Sequence, residues 1–189
     1  MLKTFAVAAL AALIAVPMAA QSNMAHPEKF TAFAVNASNM TTRAQTTAVD
    51  ITINRWSTDA DRTRLLSILK SKGQDALLDA LQKMPVVGYL NTPGSLRYDL
   101  HYARQIPQAE GGRRIVVATD RYIGSWEAIN HPRSVDYPFT VIELQLDRTD
   151  HGKGWASIYT KITATDDGNV ELENFANEPV MLNDVKPAT

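Results

Sequence analysis

The pattern of apolar and polar positions changes its character along this chain of 189 residues. An unbroken apolar run at residues 5–16 comes first. Val49, Ile51 and Ile53 then alternate with polar residues, which predicts a half-buried strand. Helical spacing follows over about 58–84, and the rest of the chain returns to alternation. This order predicts two strands, two helices and then a series of strands.

The helical stretch carries its own start and stop signals. Ser57 or Thr58 can cap a first helix, and acidic residues at its beginning suit the positive end of the helix dipole. Gly73 is placed to end that helix, and Pro85 ends a second one. Each helix has one apolar face. We therefore expect a helical hairpin over about 58–84, packed on one face of a sheet.

After Pro85 the pattern predicts strands joined mainly by short turns. The clearest alternation covers residues 96–103. Large apolar or aromatic residues, Leu96, Tyr98, Leu100 and Tyr102, alternate there with Arg97, Asp99, His101 and Ala103. Short connections favour antiparallel neighbours. The expected fold is α+β, with a curved, mostly antiparallel sheet or partly open barrel of 6–8 strands that carries the helical hairpin.

The apolar run near the start has the layout of a secretory signal peptide. Lys3 precedes the 12 apolar residues, Pro17 breaks the run, and Ala19 and Ala20 suit a signal peptidase. An uncleaved membrane anchor is the alternative, but a span needs roughly 20 apolar residues. We expect a secreted or periplasmic protein with no stable membrane span after cleavage.

The expected organisation is a signal peptide at 1–20, a flexible N-terminal tail at 21–29 and a single globular domain at 30–187. The chain has no cysteine, so its core is expected to hold without disulfides. The net charge is −1, which provides no long-range attraction to nucleic acid. We therefore expect no nucleic-acid partner.

The usual signatures of catalysis and cofactor binding do not occur in the sequence. There is no phosphate-binding GxxxxGK[ST], no GxGxxG, no HExxH and no GxSxG. Without cysteine, thiolate nucleophiles and cysteine-bound zinc are excluded. We expect no cofactor and no metal centre.

His101 and Asp99 are the candidate catalytic pair. On an alternating strand, residues two apart point to the same side, so Asp99 could orient the imidazole. The alternative is a solvent-facing polar strip with a local ion pair.

The long connection at 121–137 is a candidate ligand-binding segment. Connections of this length without regular structure are uncommon unless they are functional or disordered. Its aromatic content argues against disorder. If the sheet curls, the rings of the preceding strand would line an interior cavity. The alternative is that these aromatic residues only pack the core. The candidate ligand-binding residues are Tyr98, Tyr102, Trp126, His131 and Arg133.

Three segments together resemble a set of uncharacterised secreted bacterial proteins. They are Ile51-x-Ile53-x-Arg55-Trp56-Ser57, the stretch from Gly73 to Lys83, and Tyr137-Pro138-Phe139-Thr140. The resemblance covers most of the chain after the leader. It implies export and one compact domain, and it implies no activity.

Three functional hypotheses follow, of which the third is a purely structural envelope protein with a broad exposed apolar patch and self-association. The first is an exported, non-catalytic binding domain for a small apolar or amphipathic ligand or for a protein partner. The second is a secreted hydrolase that uses His101 and Asp99 near the 121–137 connection.

Overall fold

A computed structural model describes residues 27–35, 46–94, 96–109, 111–121, 136–165, 170–174 and 179–188. Within these ranges the chain forms ten strands and one helical segment, α1. Their order is β1 (Glu28–Val35), β2 (Thr46–Ile53), α1 (Asp59–Gln82), β3 (Gly88–Asn91), β4 (Tyr98–Leu100), β5 (Tyr102–Pro107), β6 (Arg113–Thr119), β7 (Phe139–Leu146), β8 (Gly152–Ala164), β9 (Val170–Asn174) and β10 (Val180–Pro187).

All of these strands belong to one antiparallel sheet that curls into a nearly closed barrel. The strand order is β4-β3-β2-β1-β10-β8-β7-β6-β5, and β9 pairs with β8 outside this path. Alternating side chains and short connections produce this arrangement, since each hairpin pairs neighbours along the chain. The expected α+β fold with a curved antiparallel sheet is confirmed.

The barrel closes where β4 passes directly into β5. These two strands lie at opposite ends of the strand order, yet only His101 separates them in sequence. The backbone N–H of His101 donates to Ala118 O on β6 at 3.0 Å. Along the edge of β5 that faces away from β6, Ala103 exchanges two hydrogen bonds with Ser57. The N–H of Ser57 donates to Ala103 O at 2.7 Å, and the N–H of Ala103 donates to Ser57 Oγ at 3.0 Å. We call this junction the seam.

The interior of the barrel is packed with aliphatic and aromatic side chains from nearly every strand. Leu100, Ile115 and Leu144 are completely buried there. Inward-facing residues alternate with outward-facing ones, as period two requires. The largest fully buried members of this interior cluster are Phe30, Ile51, Ile53, Leu90, Leu100, Ile115, Ile142, Leu144 and Leu182.

The helical segment begins with the cap that the sequence predicts. Thr58 Oγ1 accepts from the N–H of Asp61 at 3.1 Å, and Asp61 Oδ2 accepts from the N–H of Thr58 at 2.9 Å. This reciprocal pair is a capping box, which satisfies two backbone donors at the helix start. At Gly73 the backbone leaves the helical region, with φ 80° and ψ −171°. The predicted pair of helices is therefore one segment, Asp59–Gln82, with a break at Gly73.

The helix packs on the outer surface of the barrel and forms a second apolar cluster there. Leu65, Leu69, Leu77 and Leu81 share this cluster with the buried sheet residues Phe139, Ala118 and Val141, and partly buried sheet residues such as Tyr102 and Ile162 pack against it. Phe139 is completely buried in this interface. The inner face of the sheet thus packs against itself inside the barrel, and part of its outer face packs against the helix.

Two details of the predicted strands need correction. The structure has ten strands instead of 6–8, because the run through Tyr98 and Tyr102 is divided at His101 and the segment after Pro179 forms a full strand. The first strand begins at Glu28, so residues 28 and 29 lie in the sheet and not in the tail. The predicted signal peptide, residues 1–20, lies outside the described residues.

Candidate functional site

The two tyrosines expected to line one cavity lie in different environments. Tyr98 is 4% exposed and belongs to the interior cluster. Tyr102 packs instead against the helix cluster on the outer surface. The alternation fails because the chain bends at His101 as it crosses the seam, after which Ala103 and not Tyr102 faces the interior. Leu96, expected on the same buried face, is 84% exposed.

His101 is held at the seam by groups from two other elements. Its Nδ1 lies 3.0 Å from Met84 O, just beyond the end of the helix. Its Nε2 lies 3.7 Å from Asp120 Oδ1, directly after β6. The His101 and Asp120 side chains are only 13% and 18% exposed. The imidazole therefore lies between two other parts of the fold, and the backbone N–H of the same residue is bonded to β6.

The partners of the His101 ring determine what it can do chemically. A carbonyl oxygen only accepts hydrogen bonds, so Nδ1 must carry the proton that it donates to Met84 O. The other nitrogen, Nε2, faces the Asp120 carboxylate. Both ring nitrogens thus face protein groups. A general base needs a nitrogen within hydrogen-bond reach of a substrate proton.

Asp99 does not orient the His101 ring in the described structure. Its Oδ1 lies 3.3 Å from Arg97 Nε, and both side chains are well exposed. The carboxylate beside His101 belongs instead to Asp120, 19 positions further along. The signal for Asp120 lies in the β5–β6 hairpin, whose register sets Tyr102 opposite Ala118 and so brings residue 120 back to residue 101.

The remaining predicted site residues, Trp126, His131 and Arg133, lie outside the described residues. Over the described ranges, no group of three or more His, Cys, Asp or Glu residues is arranged to hold a metal ion.

A second polar cluster, which the sequence pattern did not reveal, lies around Arg113 at the start of β6. The guanidinium donates to Glu28 Oε2 at 2.6 Å, to Gln105 Oε1 at 2.8 Å and to both carboxylate oxygens of Asp150 at 2.8 and 2.9 Å. It also lies 5.6 Å from the centre of the Phe30 ring. We call these side chains the Arg113 cluster.

The Arg113 cluster closes one end of the barrel. Arg113 shares its strand face with Ile115 and Val117, and Glu28 shares its face with Phe30, all of which point inward. The side chains of Arg113 and Glu28 are 18% and 15% exposed. Burial is the largest single effect on the pKa of Arg113 and lowers it. The hydrogen bonds and charges of Glu28 and Asp150 together outweigh burial, so the pKa is raised. The permanently charged guanidinium therefore faces two carboxylates, those of Glu28 and Asp150.

The turn between β7 and β8 presents Asp150 to this cluster. Asp147 Oδ1 accepts from the hydroxyl and N–H of Thr149, both at 2.7 Å, and from the N–H of His151 at 3.1 Å. These hydrogen bonds lower the pKa of Asp147, and the bond from the Thr149 hydroxyl has the largest effect. Asp150 has φ 60°, a conformation that aspartate tolerates better than most residues. The turn thus fixes one of the carboxylates that neutralise Arg113.

Tyr102 provides a test of its position under the helix. Burial raises the pKa of its phenol, against the lowering effect of Arg104 and then Arg62. The unfolded chain then loses this proton at lower pH than the folded protein does. We expect the free energy of unfolding to fall as the pH rises above about 10, the ordinary tyrosine value. Denaturant titrations at several alkaline pH values measure this decline.

The matched control for that test is Tyr102→Phe, which keeps the ring and removes the ionisable hydroxyl. Its unfolding free energy should fall less steeply over the same alkaline range. Equal slopes for the two proteins would contradict the buried position of the phenol.

Comparisons with known proteins add no further assignment. No family model, no curated protein and no solved structure matches the chain. Among the helical residues that the structure describes, no helix is both long and apolar enough to cross a membrane.

Proposed function

We propose that this protein is an exported, non-catalytic binding domain whose ligand is a protein partner. The signal-peptide pattern of residues 1–20 supports export, as does the resemblance to uncharacterised secreted bacterial proteins. The His101 Nδ1 is bonded to Met84 O, and its Nε2 lies 3.7 Å from Asp120 at a position where both side chains are little exposed, which favours binding over catalysis.

The observation that carries the proposal is an apolar face on the outside of the sheet. Val35, Met181 and Trp155 are cross-strand partners on β1, β10 and β8, so their side chains form one row. Phe33 lies two residues before Val35 on the same side of β1. Phe33 and Met181 are 44% and 42% exposed. We call these residues the outer apolar face.

The outer apolar face is separate from the surface that the helix covers. Val180 and Leu182 point into the interior cluster, so Met181 between them points outward. The helix cluster instead involves residues such as Ala118 and Val141 on β6 and β7. Exposed groups of aromatic and methionine side chains are typical of protein interaction sites.

The charge beside this face indicates the chemistry of the partner. Lys153 is exposed and its Nζ lies 5.3 Å from the centre of the Trp155 ring. A partner that covers Trp155 would meet this ammonium group, which favours a carboxylate at that point. Glu143 lies directly opposite Trp155 on β7, so both signs of charge border the face; we therefore assign to it a protein partner with an apolar centre and an acidic group placed to meet Lys153.

The interior favours a protein over a small apolar ligand. Tyr98, expected to line a cavity in the small-ligand version, is packed among the buried residues of the barrel. Within the described ranges, the large apolar side chains that remain exposed, such as Phe33 and Met181, lie outside the interior cluster. Native mass spectrometry that finds a retained small molecule in protein from its own host would contradict this choice.

Site-specific crosslinking tests the proposal. A photo-reactive amino acid placed at Met181 should give one dominant protein adduct in the native host, whereas the same group at Leu96, an exposed leucine off this face, should not. The purified partner should then bind Met181→Glu at least tenfold more weakly than the wild type, because a buried, unpaired charge is costly in an interface.

Leu96→Glu is the matched control and should bind like the wild type. The same adducts at both positions, or equal affinities of the two variants, would overturn the proposal.

A further inference from the structure

β8 and β9 extend beyond the barrel as a two-stranded arm. The pairing of β8 with β7 ends at Thr160, opposite Phe139. From Thr160 to Ala164, β8 pairs with β9. We call residues 160–164 and 170–174 the arm.

The helix protects one edge of the arm. Beyond Thr160, the edge of β8 that would face β7 has no strand beside it in the described chain. Gln74, directly after the break at Gly73, accepts there from the N–H of Ile162 at 3.2 Å. Its amide nitrogen donates to Asp136 O at 2.8 Å. Protection of a free edge by a covering element is a common way to prevent unwanted strand pairing.

The other edge of the arm pairs with no strand of the described residues, because β9 pairs with β8 alone. Val170, Glu171, Leu172 and Glu173 are all exposed, with Val170 and Leu172 at 43% and 44%. Val170 and Leu172 share one side of the strand, and the glutamates share the other. An exposed edge strand with apolar side chains is a template for strand addition.

The charges on β9 indicate which strand fits this edge. Glu173 lies opposite Lys161 on β8, with 3.8 Å between Oε2 and Nζ, and its Oε1 accepts from the Tyr137 hydroxyl at 2.9 Å. Glu171 lies opposite Thr163 and makes no ion pair within the described part of the chain. Opposite charges on neighbouring strands stabilise a sheet, and like charges destabilise it. A strand added to β9 should therefore carry lysine or arginine opposite Glu171.

The same charges disfavour a second copy of this chain. An antiparallel pairing of two β9 strands centred on Leu172 would place Glu171 of one copy opposite Glu173 of the other. This pairing contains two such contacts, and in each of them the two carboxylates repel each other.

We propose that the β9 edge is a strand-addition site for an extended peptide in which basic and apolar residues alternate. Main-chain hydrogen bonds to β9 provide the affinity, apolar side chains lie against Val170 and Leu172, and a basic side chain faces Glu171. This site is distinct from the outer apolar face, whose proposed partner is acidic. Failure of one proposal leaves the other standing.

The test uses the full chain and a fluorescein-labelled peptide of sequence Gly-Lys-Val-Lys-Val-Lys-Gly. It should bind saturably in fluorescence anisotropy titrations. On binding, hydrogen exchange at residues 170–174 should slow. A version with proline at the central lysine position loses a backbone donor and should bind several-fold more weakly.

Charge reversal at one position provides the decisive comparison. Glu171→Lys should weaken binding of the lysine peptide about fivefold. It should strengthen, by a similar factor, binding of the same peptide with glutamate in place of each lysine. Asp79→Lys, an exposed helix position with the same change of net charge, should alter neither affinity.

Three outcomes would overturn the proposal. One is the absence of saturable binding of the lysine peptide to the wild-type protein at millimolar peptide concentration. Another is a Glu171→Lys protein that cannot be told from the Asp79→Lys control. The third is exchange protection that maps away from residues 170–174.

Discussion

Phe139→Ala should lower the free energy of unfolding by about 3–5 kcal/mol. Phe139 is completely buried where the helix packs on the sheet, next to Leu65, Leu69 and their neighbours in the helix cluster. Removing the ring deletes its transfer free energy and leaves a cavity between two rigid layers. Urea unfolding followed by tryptophan fluorescence measures the change.

Phe33→Ala is the matched control, since it deletes the same ring from a strand where 44% of the residue is exposed. Its cost should be about 1 kcal/mol or less, because exposed side chains lose little burial. Comparable losses for the two variants would mean that the helix does not cover Phe139.

Arg113→Leu should destabilise the protein by about 2–4 kcal/mol. The substitution removes the guanidinium and leaves the carboxylates of Glu28 and Asp150 facing each other at a barrel end with little solvent. An unmatched charge in such a place costs more than the ion pair contributes. The shift of the urea midpoint at constant m value measures the effect.

Arg114→Leu tests whether that loss is specific to the barrel end. Arg114 is the next residue, 42% exposed, and its closest carboxylate oxygen, on Glu143, is 3.9 Å away. An exposed ion pair of this kind contributes about 0–1 kcal/mol. The double variant Glu28→Gln, Arg113→Leu should recover part of the stability. Equal effects of the two arginine substitutions would refute the closing role of the cluster.

The parts of the fold that could be predicted from the sequence depend on local signals. Thr58 and Asp61 announce the helix start because a capping box involves residues three apart. Gly73 marks the break because its positive φ is a local property of glycine. Strands with strict alternation, such as the one through Val49 and Ile51, have their inward face set by period two.

The seam could not be predicted because its cause is not local. Nothing near His101 in the sequence signals a bend, since the alternation around it is regular. The bend arises because β4 and β5 must lie at the two ends of one curled sheet. As a result Tyr102 moves to the helix side and Asp99 stays with Arg97.

The candidate site was only half visible for a related reason. His101 was identified as a polar residue on a strand, but its carboxylate neighbour Asp120 becomes adjacent only through the β5–β6 register. Arg113 escaped notice because its three acidic and amide partners come from β1, β5 and the β7–β8 turn. Long-range pairings of this kind leave no periodic trace in a single sequence.

The place of β10 in the strand order constrains how this chain can assemble. β10 lies between β1 and β8, and its pairing with β1 joins Phe30 to Pro187. During synthesis the earliest strand must therefore wait for the last one before the sheet is complete. Chains dominated by such distant contacts fold over about milliseconds to seconds, far more slowly than helical bundles. The sheet of this protein is therefore complete only after residues 180–187 have been made and have paired with β1 and β8.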